Sequence, residues 1–334
     1  MTKESIFNNI IDVINNSNLD ESEKQKLLSN VAGMQNRRVN LMITGATGSG
    51  KSSTINAMFD SSVAKVGEGA DPETMSITKY EYGNLILWDS PGLGDGKEND
   101  IRHSKNIISK LYEKDENGDP LIDLVLVILD GGSRDLGTSY ELINNVIIPN
   151  LGENRENRIL VAINQADMAM KGKYWNYEEH RPEPRLEEFL AQKAESVKKR
   201  ILEATGVCVE PICYSAGYTE NGIQEPPYNL TKLFLAILNH TPNQKRILLA
   251  EPANPDQNMW KHDDRLADYR EEIRQNLVGS VLSGLKNGAD HGGDIGESIG
   301  GIFGRGGAAV GKAVGKFVGG VVGAIGGFFK GLFG

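Results

Sequence analysis

Apolar residues fall along this chain in two rhythms. Short continuous runs at 38–44, 85–89, 124–130 and 158–164, with a shorter one at 210–214, have the length and composition of strands buried on both faces. Between them, segments 51–59, 101–112, 139–148, 187–202 and 230–238 repeat their apolar positions every three to four residues, as helices do. This alternation predicts an α/β fold, a mainly parallel sheet with helices on both faces. Residues 77–82 are expected to form an antiparallel edge strand.

The flanks read differently. In residues 1–37, Ile6, Ile10, Val13 and Ile14 mark one helical face and Leu27, Leu28, Val31 and Met34 another, with Asp20 and Glu23 spaced as a capping box. Pro252 and Pro255 end the alternating region, and a charged helix over 263–285 follows, with Leu266, Tyr269, Ile273, Leu277 and Val281 on one stripe. The expected division is N-terminal helices 1–37, an α/β domain 38–249, a linker and charged helix 250–287, and a Gly-rich tail 288–334. Residues 170–186 read as an insertion.

The tail carries its own pattern. Glycine recurs every fourth residue from Gly307 to Gly331, a spacing that lets helices approach closely. On a helix, Arg305, Lys312, Lys316 and Lys330 fall within about 40° of one another. Val310, Val314, Phe317, Val321, Ile325, Phe328 and Leu332 fall opposite. A basic stripe facing an apolar one predicts a helix lying in a membrane interface. The uncharged run 317–329 spans only about 20 Å as a helix, against a hydrocarbon core of about 30 Å, so an ordinary spanning helix is not expected. Packing of the tail on the chain's own core, or a structureless tail, is the alternative.

Chemistry enters at the end of the first strand. Gly45, Ala46, Thr47, Gly48, Ser49, Gly50, Lys51 and Ser52 fit G-x-x-x-x-G-K-[ST] between a strand and a helix. In such a loop the glycines turn backbone N–H groups toward phosphate oxygens, lysine reaches the β/γ-phosphates and the serine hydroxyl meets Mg²⁺. The helix N-terminus adds partial positive charge, and Ser53 completes the phosphate-facing set. Asp89 ends the second parallel strand, placed to hold Mg²⁺ through a water. Gly92, without a Cβ, lets its N–H approach a γ-phosphate. Asn164, Gln165 and Asp167 follow another strand. A carboxylate there can accept from guanine N1–H and from the exocyclic amine, and backbone N–H groups at Ser215 and Ala216 could meet the guanine O6. The implied ligand is GTP with Mg²⁺.

Taken in order, these motifs resemble those of Era-like GTPases of the translation-factor-related (TRAFAC) class. Residues 35–249 are similar to the bacterial YfjP-type family and, more distantly, to immunity-related GTPases. The resemblance implies a mobile switch between Lys51 and Asp89 with a Mg²⁺-binding threonine, Thr74 or alternatively Thr78. It also implies GTP hydrolysis in which Lys51, Thr74 and Gly92 take part, and GDP as the second ligand. Two positions depart from the pattern. Gln165 stands where the base motif usually has lysine, and Leu93 stands where Ras-type members carry the glutamine that orients the attacking water. Turnover is therefore expected to be slow alone, with the missing group supplied by the switch or by a second subunit in a homodimer or oligomer. Arg134 and Asp135 are candidates for it; a solvated loop charge is the other reading of both.

Composition narrows the remaining choices. Net charge −9 and a pI near 5.2 argue against a general nucleic-acid binder, so no DNA partner is expected. Cys208 and Cys213 read as small apolar residues rather than a disulfide or metal pair. Met1 opens a polar stretch without the form of a signal peptide, so the expected location is cytoplasmic, with peripheral attachment to an anionic membrane through residues 300–334. The expectation is a slow GTPase switch that reaches a membrane, or its own copies, through the tail. A ribosome- or RNA-associated GTPase and a non-catalytic GTP-gated interaction protein stand as alternatives.

Overall fold

A computed structural model of the chain describes residues 5–59, 65–66, 77–94, 96–220, 223–286 and 308–333. Strands β1 (Val39–Thr44), β2 (Lys65–Val66), β3 (Thr78–Tyr82), β4 (Leu85–Asp89), β5 (Leu124–Asp130), β6 (Ile159–Asn164) and β9 (Ile212–Cys213) form one sheet in the order β2-β3-β4-β1-β5-β6-β9. The β4-β1-β5-β6-β9 stretch is parallel. β2 and β3 are the antiparallel edge, as expected for 77–82. The reversal of order beside β1 opens a crevice at the carboxyl ends of β1 and β5, where sheets of this kind bind ligands.

Period-two alternation splits the apolar core between the two faces. Leu124, Leu126 and Ile128 of β5 join one cluster, while Val125, Val127 and Leu129 join the other. The second cluster is covered by α4 (Lys97–Tyr112), the helix α5 (Gly137–Glu141) with its π-turn continuation Leu142–Ile147, and α6 (Pro184–Thr205). The first is covered by α3 (Lys51–Met58), α7 (Leu230–His240) and a helical layer drawn from both chain ends: α1 (Ile6–Asn15), α2 (Glu21–Gln35), α8 (Leu266–Lys286) and α9 (Ala308–Phe333). The capping box is present in both halves: Asp20 N–H donates to Glu23 (3.0 Å) and Glu23 N–H to Asp20 (2.8 Å). The last parallel strand is shorter than the apolar run 210–214 implies. Residues 170–186 hold a two-stranded hairpin of β7 (Trp175–Asn176) and β8 (Arg181–Pro182). A second hairpin is formed by β10 (Tyr218–Glu220) and β11 (Ile223–Glu225).

The tail is a helix with its apolar face turned inward. Phe317, Val321, Ile325, Phe328 and Leu332 are all buried, joined by Phe329 and Phe333. Phe333 packs against Trp260 (ring centroids 5.1 Å apart) and Phe234 (6.1 Å) and stacks on Phe329 (4.6 Å). Of the row of glycines spaced by four, Gly315, Gly319, Gly323, Gly327 and Gly331 are exposed, and a Cβ built on any of them meets nothing within 4 Å. Lys316 and Lys330 share that outer face. Gly320 is the glycine that permits a close helix contact: a Cβ there would lie 2.8 Å from Val13 Cγ1 of α1. Arg305 and Gly307 lie outside the described residues.

Candidate nucleotide site

The loop from β1 to α3 is shaped by glycine. Gly48 and Gly50 have φ of 80° and 86°, values that residues with a Cβ adopt at a cost. A Cβ on Gly50 would sit 2.1 Å from Asn164 Nδ2, and one on Gly45 2.2 Å from the Ile128 carbonyl oxygen. The loop is thus wedged between β5 and the end of β6, and only glycines fit. Lys51 lies in the first turn of α3 and its Nζ donates to the carbonyl oxygens of Gly45 (2.7 Å) and Ala46 (3.3 Å). Ala46 and Thr47 form the loop's rim, Ser49 is fully buried beneath it, and Ser52 and Ser53 are exposed on the first turn of the helix.

The end of β4 meets this loop from the side. Ser90 N–H donates to the Ile43 carbonyl (2.9 Å) and Thr44 Oγ1 donates to that of Pro91 (3.2 Å). A Cβ on Gly92 would lie 2.5 Å from the Gly45 carbonyl and 2.7 Å from the Ala46 nitrogen. Gly92 therefore touches the phosphate loop through its backbone. Burial pushes the Asp89 carboxyl up, against the opposing pull of the Lys51 ammonium. Asp89 Oδ1 is buried without a hydrogen-bond partner among the described residues, so the site has an oxygen to offer a cation.

Leu93 is 8% exposed and packs with Ile107, Val125 and Val127 on the α4 side of the sheet. The segment is held by two contacts that the sequence pattern did not single out. His103 of α4 is buried, and its Nδ1 lies 3.2 Å from the Gly92 carbonyl oxygen, which can only accept. Asp100 accepts from Gly94 N–H (2.8 Å).

On the base side, Asn164 is 2% exposed and its amide works in two directions. Nδ2 donates to the Ser49 carbonyl (2.9 Å), and Oδ1 accepts from Ala216 N–H (3.0 Å). Gln165, at φ 59°, donates from Nε2 to the Gly48 carbonyl (2.7 Å). The shorter, uncharged stem thus still reaches the phosphate loop. Asp167 is 3% exposed and accepts from Ser215 Oγ (2.7 Å); burial pushes its carboxyl up, and this hydroxyl counters the push. Ser215 N–H and carbonyl pair with Tyr228, and Gly217 N–H reaches Ser215 Oγ (3.3 Å). The amides of 215–217, read from sequence as partners for a guanine oxygen, thus hold acceptors within the protein in this arrangement.

The remaining sequence-derived candidates are dispersed. Thr74 lies outside the described residues. Thr78 opens β3 in register with Asp89 of β4. Arg134 and Asp135 are exposed, and Asp135 accepts from Gly137 N–H (2.8 Å), a local turn contact. Their loop is tied instead by Lys193 of α6, whose Nζ donates to the carbonyls of Gly131 (2.5 Å) and Ser133 (2.7 Å); burial lowers its pKa.

With this geometry in hand, comparison with known proteins is informative. Residues 40–165 match the family described as 50S ribosome-binding GTPase. The Escherichia coli K12 protein YfjP is 31% identical over 131 residues, 38% of this chain and 41% of that protein. YkfA of the same organism is 27% identical over 156 residues, 46% of this chain and 50% of its own length. The chain thus spans half or less of the curated relatives it matches. Among solved structures, a probable GTP-binding protein engB aligns at TM-score 0.36 with 19% identity, over 60% of this chain and 98% of that one. Toc33 from Arabidopsis thaliana with Mg²⁺ and GMPPNP aligns at TM-score 0.35 with 16% identity, over 59% and 80%. The sheet order and the family match agree on a P-loop GTPase fold, and residues 40–165, which hold the phosphate loop, Asp89, Gly92, Asn164 and Gln165, are similar to that GTPase family.

Proposed function

We propose that the chain is a Mg²⁺-dependent GTP-hydrolysing switch whose C-terminal helix alternates between the docked position and association with an anionic membrane surface or another copy. The observation that carries the nucleotide half is the Asn164 side chain. It is bonded at one end to the phosphate loop and at the other to the loop beside Asp167, so the phosphate and base subsites form one unit. Asp167, buried and oriented by Ser215, is the proposed reader of guanine.

The donor set fits Mg²⁺, a hard cation that takes oxygen ligands. Ser52 offers a hydroxyl and Asp89 a buried carboxylate oxygen, with Thr74 as the proposed switch ligand. Bound there, the ion would neutralise charge on the β- and γ-phosphate oxygens. Lys51 supplies a positive charge from within the loop, and the Gly92 amide is the proposed contact to the γ-phosphate. Leu93 packs into the core, so the residue after Gly92 orients no water. Turnover is proposed to be slow until a second subunit or the switch completes the site.

The tail reading rests on α9. Residues Gly315–Phe333 are long and apolar enough to cross a membrane by composition alone, yet their apolar face is occupied by α1, α8 and Trp260. Its exposed face of glycines and lysines is where a second copy or lipid phosphates would first meet it. Calorimetric titration with GTP and ATP tests the nucleotide half. GTP is expected to bind in preference to ATP and Lys51→Ala to abolish binding; equal affinity in Lys51→Ala and the parent would end the assignment. The description of the matching family supports a ribosomal alternative, against the net charge of −9. Nucleotide-dependent co-sedimentation with large ribosomal subunits would favour that reading.

A further inference from the structure

Backbone strain in this protein is concentrated in one place. Among the described residues, seven without glycine's freedom have positive φ, and six of them, Gln165, Met170, Lys171, Tyr174, His180 and Asn229, lie in or beside the base-side segment. Each such conformation costs on the order of 1–3 kcal/mol and persists only where the surroundings enforce it. For His180 the holding group is identifiable. Glu225, at the end of β11, is 4% exposed, and its Oε1 accepts from Trp175 Nε1 (2.9 Å) and lies 3.0 Å from His180 Nδ1. One buried carboxylate therefore ties β7 and the residue just before β8 to the segment that follows β10.

That segment bears directly on the base loop. Gly217 has φ 71°, and a Cβ on it would meet the Glu225 carbonyl oxygen at 2.5 Å and Pro226 at 3.0 Å. Trp175 also stands edge-on to Tyr228 (5.5 Å, 85°), the residue that exchanges two backbone hydrogen bonds with Ser215. The hairpin thus presses on the 215–217 loop at two points, through Glu225 and through Tyr228. The Ser215 hydroxyl in that loop orients Asp167.

We propose that the 174–182 hairpin is a brace for guanine discrimination, with Glu225 as its positioning residue, acting through Gly217 and Ser215 on Asp167. This rests on the reading of Asp167 as the guanine-binding carboxylate. Losing the carboxylate leaves the buried Trp175 Nε1 donor and the half-buried His180 Nδ1 without their acceptor. The hairpin then has no reason to hold its strained backbone, and the Ser215 hydroxyl loses the loop geometry that aims it at Asp167. Phosphate binding, which depends on 45–52, is untouched.

The test compares GTP with ITP, which lacks the exocyclic amine, by calorimetry on the full chain. Glu225→Leu is expected to lower the GTP:ITP affinity ratio about tenfold, the equivalent of one charge-assisted hydrogen bond, with ITP, which keeps the N1–H but has no amine to lose, weakened less than GTP. Glu225→Gln, which keeps an acceptor oxygen for both donors, is expected to restore the parent ratio. A general packing defect would instead lower both affinities together and leave no reason for rescue by Gln. Trp175→Phe keeps the ring against Tyr228 and removes only the donor. It is expected to lower the ratio in the same direction, and it decides the matter if Glu225→Leu does not fold. Asp167→Ala separates the two layers of the argument. If it abolishes discrimination while Glu225→Leu and Trp175→Phe keep the parent ratio, the brace is overturned and the base reading stands. If the parent binds GTP and ITP alike, or if Asp167→Ala leaves the ratio unchanged, the base reading fails and takes the brace with it.

Discussion

Two neighbouring glycines of the tail helix allow the docked state to be tested against lipid with opposite expected outcomes. Gly320 faces α1, and a Cβ there would already lie 2.8 Å from Val13 Cγ1. Val13 is β-branched and helical, so its side chain has one favoured rotamer and cannot swing aside. Gly319 faces outward, with nothing within 4 Å of a Cβ. Gly320→Leu overpacks the α1–α9 contact at a cost of about 1–3 kcal/mol, a factor of about 5 to 150 against docking. Leu for Gly also raises helix propensity by a little under 1 kcal/mol, but this acts on any helical state of the tail and cancels between docked and lipid-bound forms. In lipid the added side chain is favourable rather than clashing. Flotation with anionic liposomes should therefore rise in Gly320→Leu above the parent. Gly319→Leu adds the same bulk without the clash and should leave docking unchanged. Thermal unfolding should show a lower midpoint for Gly320→Leu and an unchanged or slightly higher one for Gly319→Leu. Equal flotation of the two variants would show that docking on α1 is not what holds the tail from lipid.

Asp167→Asn should move nucleotide preference from guanine toward xanthine, because the amide offers a donor to the new carbonyl; competition assays in which XTP gains nothing would count against the base assignment. With Leu93 packed in the core, turnover per molecule should be low in dilute solution and rise with protein concentration, and an arginine supplied in trans can contribute about 10³–10⁵. Specific activity that stays flat across a dilution series would place the completing group within the chain. Asp263 accepts from Lys232 N–H (3.1 Å), and burial pushes its carboxyl up to about 6 from an ordinary 3.8. A folded value above the unfolded one means the favourable, protonated form is fully retained below 3.8, and its contribution is lost as pH rises through about 6. Asp263→Asn should accordingly raise the unfolding free energy obtained from urea titration at pH 7.5, relative to the parent, by an amount on the order of 1–3 kcal/mol, with no such gain at pH 4.

Much of the sheet was legible because its strands are buried on both faces. A run such as Leu124 to Leu129 has no polar position to misplace, and a phosphate loop between such a strand and a helix leaves one reading. Asn164 and Asp167 were legible as a pair for the same reason, being polar residues at the end of an apolar strand. The last parallel strand was overdrawn. The run at 210–214 spans five positions but only Ile212–Cys213 form ladder pairs with β6; Tyr214 N–H still donates to the Ile163 carbonyl of β6, and Ser215 then turns away to pair with Tyr228. His103, Lys193 and Glu225 were not legible as site residues. Each acts on a loop far away in sequence, and nothing in local spacing marks a polar side chain whose partner is a backbone carbonyl or an indole elsewhere.

The tail shows where periodicity stops being informative. The pattern from Phe317 to Leu332 correctly separates an apolar face from a basic one, but a hydrophobic stripe states only that something covers it. In this structure the cover is α1, α8 and Trp260. The glycine row every fourth residue drifts about 40° per step around the helix, so it cannot follow the buried face over its whole length. Its described members lie on the outside, and among the described tail glycines the one whose Cβ would collide with another helix, Gly320, is not in the row. A spacing of four therefore marks a smooth surface rather than the contact that holds the helix. The function of that surface depends on what the docked state must release, and this is why the Gly319 and Gly320 variants, one residue apart, are the informative pair.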